Sequence, residues 1–324
     1  MRFVLAGLAG LTLAAAAAFT APPQRLADGG AYLTPESAEA LGEPAGVATD
    51  VLGRVWATDA QGNRLVRWDA AGHWLGEFGS LGSEANQFRR PTALARLGSL
   101  GVAVLDRENN RLVAYDLLGR LTDLVVTLDS PELQSSLGQI TPVDLASDRG
   151  GALYVADSDR DRVLAFDFSG TFVRAIGGYG LGPGAFHGIA AVAVTPHGEL
   201  VVLERPVAAA KRPRGAPDST RTGIPARVQL LDASGAPLAS FTLADDGAHE
   251  FALAVDDSGR IAVAFSGGHA DHVKLFSRDG ALLAEADSLA SPRSLAFASD
   301  GALLVAEAGA GRIRRLVPVA AGGR

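Results

Sequence analysis

The chain is 324 residues long and 48% apolar, carries a formal net charge of −7 and contains no cysteine. The missing cysteine excludes a disulfide framework, a thiolate nucleophile and any cysteine-held metal. The acidic balance argues against general nucleic-acid binding, which needs clustered cations, and an aromatic content of 6% leaves few platforms on which single strands could stack.

Met1 to Ala21 (MRFVLAGLAGLTLAAAAAFTA) holds Arg2 and then no charge before Arg25, so it reads as an export segment. Two readings stand. As a signal peptide it offers a small-residue cleavage site at Ala16-x-Ala18. As an uncleaved anchor, the 19 residues from Phe3 to Ala21 make an apolar helix of about 28 Å, close to the hydrocarbon thickness of about 30 Å. Arg2 then stays cytoplasmic and the remainder lies beyond the inner membrane. The expected location is the periplasm, tethered to that membrane through residues 3–21, with a soluble periplasmic or secreted protein as the alternative. The usage rich in Ala, Gly, Leu and Arg suggests a bacterial source.

From residue 43 the chain repeats itself. The clearest copy is Gly150 to Gly180, whose short strands ALYVA, RVLAF and TFVRAI are separated by the polar turns at 157–161 and 167–170. ALYVA is apolar on both of its alternating faces, so it must be covered on both. A lone hairpin cannot do that. The third element recurs as NRLVRWD at 63, NRLVAYD at 110, DRVLAFD at 161, ARVQLLD at 226, DHVKLFS at 271 and GRIRRLV at 311. Arg64, Arg111, Arg162, Arg227 and Arg312 hold its second place, and His272 replaces Arg in the fifth copy. Upstream elements recur in step, as RVWATD, GVAVLD, ALYVAD, ELVVLE, RIAVAF and ALLVAE. The spacing is about 46 residues, the range of four-strand propeller units.

Six copies predict an all-β, six-bladed β-propeller of four-stranded blades, preceded by an N-terminal apolar helix. The sixth copy ends after its third strand, and an open blade would leave an unpaired edge. Gln24 to Thr34 (QRLADGGAYLT) is the natural donor of the missing outer strand, with Tyr32 and its neighbours against Arg312 to Val317. The expected organisation is a leader or anchor at 1–23, a lead segment giving the closing strand at 24–42, the propeller at 43–319 and a tail at 320–324. An insertion at 206–225 interrupts the fourth copy.

The repeat resembles the NHL repeat, in which a Gly-rich loop ending in Phe leads into three strands with an Asp-x-x-x-Asn-Arg-Val turn. Gly79 to Phe88 (GSLGSEANQF) and Gly177 to Phe186 (GGYGLGPGAF) match that loop best. The resemblance runs from about Glu43 to Val319 and is strongest in copies one to three; copies four to six lose the Gly-rich loop. It implies the propeller architecture and leaves the activity open, because that architecture hosts unrelated functions.

Residues entering each first strand are expected to ring the channel mouth: Arg89, Arg90, His187, His249, Glu250 and Arg293. Related six-bladed lactonases and amidating lyases build metal sites there from carboxylate, Asn or His, but this ring is mostly basic, so no catalytic set and no metal or other cofactor is expected. His269-Ala-Asp271-His272 reads as a polar loop lacking a full ligand set. Asp157 to Asp161 (DSDRD) lacks the mid-loop Gly and distant Glu of a calcium loop and reads as a turn. The once-per-copy Arg is expected to pair with turn carboxylates such as Asp59, Asp106, Asp157 and Glu307. The insertion (PVAAAKRPRGAPDSTRTGIP) sets Lys211, Arg212, Arg214 and Arg221 against Asp218 alone, as a basic arm for an acidic partner surface or lipid head groups; a disordered loop is the competing reading. Residues 129–139 are expected to form a short helical turn.

The function expected is a non-catalytic interaction scaffold or accessory subunit on the periplasmic face, bound to other subunits of an inner-membrane complex of respiratory or photosynthetic type. The alternative is an exported metal-dependent hydrolase or lyase using His187, His249 and Glu250 in the channel.

Overall fold

The structure is a computed structural model and describes residues 23–32, 41–207, 223–244 and 247–318. β1 (Gln24–Tyr32) comes first, and the remaining strands follow the repeats. Repeat one holds β2 (Pro44–Thr49), β3 (Val55–Asp59), β4 (Arg64–Trp68) and β5 (Trp74–Phe78). Repeat two holds β6 (Pro91–Leu97), β7 (Gly101–Asp106), β8 (Arg111–Asp116) and β9 (Leu121–Thr127), followed by the helix α1 (Pro131–Leu137). Repeat three holds β10 (Pro142–Ser147), β11 (Leu153–Asp157), β12 (Arg162–Phe166) and β13 (Phe172–Gly177). Repeat four holds β14 (Ile189–Val194), β15 (Leu200–Glu204), β16 (Arg227–Leu231) and β17 (Pro237–Thr242). Repeat five holds β18 (Glu250–Val255), β19 (Ile261–Ser266), β20 (His272–Phe276) and β21 (Leu282–Asp287), and the last repeat holds β22 (Pro292–Phe297), β23 (Leu303–Glu307) and β24 (Arg312–Pro318).

Within each repeat the strands form an antiparallel meander, and the first four repeats give four separate four-stranded sheets. The fifth sheet has eight strands, in the order β18-β19-β20-β21-β1-β24-β23-β22. The expectation of six separate four-stranded blades is corrected to this extent, and β1 is the physical reason. β1 lies antiparallel to β24, with Leu26 opposite Pro318 and Tyr32 opposite Ile313, and so covers the edge left by the missing outer strand. At its start it also pairs in parallel with β21, through Gln24 and Arg25 opposite Ala284 and Glu285. One strand therefore joins two repeats into a single hydrogen-bonded sheet. Residues 1–22, where the apolar helix was expected, lie outside the described residues, which hold no helix long and apolar enough to cross a membrane.

Second and third strands such as β3, β4, β11 and β15 are buried along their whole length, because sheets cover both faces. Outer strands alternate or are exposed, as β5 and β17 are. The apolar clusters sit between successive repeats: Leu105, Leu112 and Leu153 fill the space between repeats two and three. Val47, Trp68, Leu304 and Ile313 pack the last repeat against the first. The innermost strands β2, β6, β10, β14, β18 and β22 lie side by side in a circuit that returns from β22 to β2. This is an all-β propeller.

A meander puts its turns alternately at two ends. The upper end carries the turns between second and third strands and the crossings to the next repeat. The lower end carries the other turns. In the upper turns Asn63, Asn110 and Asp161 have φ of 51°, 47° and 48°, a left-handed backbone that Asn and Asp tolerate better than most side chains. In the Gly-rich crossings, Phe88 and Phe186 are fully buried, and a Cβ on Gly79 or Gly177 would come within 2.4 or 2.1 Å of their rings. Glycine is required there by both contact and positive φ.

Candidate functional site

The upper end concentrates the polar chemistry. In five repeats the residue ending the second strand is an acid of at most 1% exposure: Asp59, Asp106, Asp157, Glu204 and Glu307. Register places each directly opposite the recurrent Arg, namely Arg64, Arg111, Arg162, Arg227 and Arg312. The guanidinium Nε donates to the carboxylate in every case, at 3.2 Å for Asp59 and 2.8 Å for Asp106, Asp157 and Glu204, and at 2.6 Å for Glu307. The same carboxylates accept backbone N–H groups from the chain entering the first strand: Glu43 to Asp59, Arg89 to Asp106, Thr141 to Asp157, His187 to Glu204 and Ala290 to Glu307. The acid–Arg pair is thus a structural junction that a buried carboxylate can occupy because both its oxygens accept a donor. At Asp59 burial opposes ionisation, yet the N–H groups of Glu43, Gly62 and Gly42 with Arg64 outweigh it and hold the carboxyl below its ordinary range.

In three repeats the residue before the recurrent Arg, or before His272 in the fifth, adds a latch to the next repeat. Asn63 Oδ1 accepts from Arg90 N, Asp161 Oδ1 from Ile189 N and Asp271 Oδ2 from Ser291 N. The run Asp157 to Asp161 is therefore consumed internally, with Asp159 taking the Thr141 hydroxyl at 2.7 Å. The fifth repeat departs from the pattern. Phe265 stands at the acid's place, opposite His272, and the two rings stack at 4.5 Å and 12°.

The expected mouth residues have separate surroundings. Arg89 and Arg90 are exposed, and Arg90 reaches Glu43 at 3.0 Å. Glu250 is engaged by Arg293 across the β18–β22 boundary. His249 is exposed, its ring lying where a side chain on Gly267 would clash, at 2.3 Å. His187 is 2% exposed; its Nδ1 lies 2.7 Å from Glu204 Oε2, at angles that leave both ring nitrogens outside any hydrogen bond. Glu250 and Arg293 are brought together; His187 is held apart in the core of repeat four. Among the described residues no three His, Asp or Glu side chains converge on a point that could hold a metal ion. Lys211, Arg212, Arg214 and Arg221 lie outside the described residues, but the insertion's roots meet as an antiparallel bridge between Val207 and Ile224, beyond Glu204 at the upper end.

One group escaped the sequence reading. Asp144 stands third in β10, in register with Gly46, Ala191 and Ser294 of the other inner strands. Half-buried, it accepts Val192 N at 2.9 Å, as Ser294 Oγ accepts Val47 N at 3.1 Å. Burial pushes its carboxyl up to about 7 against the pull of the N–H groups of Val192 and Leu145. An acid among small residues at that place was the available signal.

No family model matches the chain, and no curated protein sequence is similar to it. Solved structures are. A streptogramin B lyase is 16% identical with a TM-score of 0.56, the match covering 88% of this chain and 96% of the lyase. Hydrazine synthase of Kuenenia stuttgartiensis is 14% identical with a TM-score of 0.57, covering 91% and 99%. Virginiamycin B lyase from Staphylococcus aureus is 14% identical with a TM-score of 0.56, covering 89% and 98%. At these identities the likeness concerns the propeller fold alone.

Proposed function

We propose that the chain is a non-catalytic interaction scaffold, an accessory subunit held on the periplasmic face of an inner-membrane complex. In this reading the repeats are of NHL type, and the eight-stranded sheet acts as two blades stapled by β1, so that the ring counts six. The observation that carries it is where large apolar side chains meet water. Among the described residues all of them lie between Val51 and Leu238, in repeats one to four, and repeats five and six expose none. A one-sided apolar surface on a soluble fold favours a partner. On the upper end Leu81, Tyr179 and Leu181 stand on the Gly-rich crossings and Val207 at the root of the basic insertion. With Lys211, Arg212, Arg214 and Arg221 close by in sequence, this end suits an acidic subunit surface.

The alternative, a metal-dependent hydrolase or lyase in the channel, has less support: Glu250 is held by Arg293, and His187 is buried against Glu204. The test is purification of the full chain from its source membranes in mild detergent. A stoichiometric partner subunit is expected, and Tyr179→Asp is expected to reduce its recovery at least about tenfold, as hot-spot truncations do. Recovery of the chain as a lone monomer overturns the proposal.

A further inference from the structure

We propose that the lower end of the ring, on the side of repeats one to three, rests on a lipid bilayer. The surface is built by tight turns. Leu52 and Leu100 stand in turns between first and second strands, and Leu118 and Phe168 in turns between third and fourth, with exposures of 60%, 62%, 65% and 70%. Leu75 and Val173, also exposed, follow one residue into the outer strands β5 and β13 just above those turns. A third turn lies beside two of them: a Cβ on Gly151 would come within 3.6 Å of Phe168 and 3.9 Å of Leu97, which shares a turn with Leu100. The cations among them are already engaged: Arg120 pairs with Asp116, Arg149 with Asp257 of repeat five, and the Nε of Arg96 donates to the carbonyl of Gly98. The lower turns of repeats five and six expose no large apolar group among the described residues, while their charges are mixed as they are in repeats one to three, with Arg260, Arg278 and Arg315 beside Asp256, Asp279 and Asp300.

What points to lipid as the occupant is the path of β1. Leu26 lies opposite Pro318, at the lower end of β24, and the strand climbs from there to Tyr32 opposite Ile313. The uncharged stretch from Phe3 to Ala21 therefore joins the fold at its lower half. A membrane holding that stretch faces the lower end, where Leu and Phe side chains can enter the interface between head groups and acyl chains. Repeats five and six offer no exposed large apolar side chain to that interface among the described residues, so the ring leans toward repeats one to three.

This orientation rests on the membrane location proposed above but not on the partner subunit. The chain has no cysteine, so single labels can be placed cleanly on full-length protein reconstituted into protein-free vesicles of phosphatidylcholine and phosphatidylglycerol. Phe168→Cys, Leu118→Cys and Tyr179→Cys each carry an environment-sensitive fluorophore, read against a nitroxide on the lipid acyl chains. Labels at 168 and 118 are expected to shift to the blue and to be quenched severalfold more than the label at 179. Equal, water-like emission at all three positions overturns the proposal, as does equal quenching at 179. Shielding at 168 and 118 that appears only when a copurified subunit is present also overturns it, because the face then belongs to protein; the partner reading would survive that result.

Discussion

Asp157 and Arg162 in the third repeat occupy the places that Phe265 and His272 occupy in the fifth. In the third, one buried carboxylate ties its own third strand to the loop that enters the first, through Arg162 Nε and Thr141 N. In the fifth, a ring stack fills the volume, with Phe251 edge-on to Phe265 at 5.6 Å and Lys274 over the same ring at 5.3 Å. The latch to the next repeat is kept: Asp271, one residue ahead of His272, receives Ser291 N as Asp161 receives Ile189 N, and it also receives Gly267 N of its own turn. Two solutions to one junction show what the junction requires: acceptors for backbone N–H groups, and either a complete ion pair or none.

The largest effect is expected from breaking the pair on one side only. Asp157→Ala leaves Arg162 nearly buried and Thr141 N without its acceptor, and should cost about 3–5 kcal/mol, measured as a lowered midpoint in urea. A loss under about 1 kcal/mol would mean that the pair contributes no more than a surface contact. A smaller effect comes from installing the pair where it is missing. Phe265→Asp alone buries an unmatched carboxylate, and the Phe265→Asp, His272→Arg double variant should recover at least about 1 kcal/mol of coupling in a double-mutant cycle. Strict additivity would show that the fifth repeat cannot accept the common solution.

The smallest effect concerns Asp144 and Ser294, which cap the next inner strand in the same way. Its folded carboxyl titrates near 7, above the ordinary value of about 4, so folding disfavours the ionised form. That penalty is absent below the unfolded value, grows as pH rises through about 7, and then levels off. Asp144→Asn should therefore gain stability relative to the parent between acid and mildly alkaline pH. A difference that stays flat with pH would show an ordinary, ionised aspartate.

Much of the architecture was legible from residues alone, because the pattern is periodic. Alternating apolar runs, the acid five residues before Arg in four repeats, and Asn or Asp in the left-handed turn all recur at fixed offsets. The fourth repeat hid the same pair, since its insertion separates Glu204 from Arg227 in sequence while register sets them opposite each other. α1 could be expected from Ser130-Pro131, with the Ser130 side chain accepting Leu133 N as its cap. The candidate site was less legible. His187 precedes an inner strand just as Arg89 does, yet one is buried beside a carboxylate and the other is exposed.

By itself the sequence determined a ring of like sheets and the identity of their internal ties, because periodic burial and short-range turn chemistry depend on neighbours along the chain. Tertiary structure alone decided that β1 serves β21 as well as β24, that His187 turns inward, and that the exposed Leu and Phe residues of separate repeats share one end of the molecule. Those outcomes depend on which strands, crossings and turns meet in space, some between neighbouring elements, as His187 with Glu204, and some across the ring, as β1 with β21 and β24, and the repeat pattern alone does not specify them.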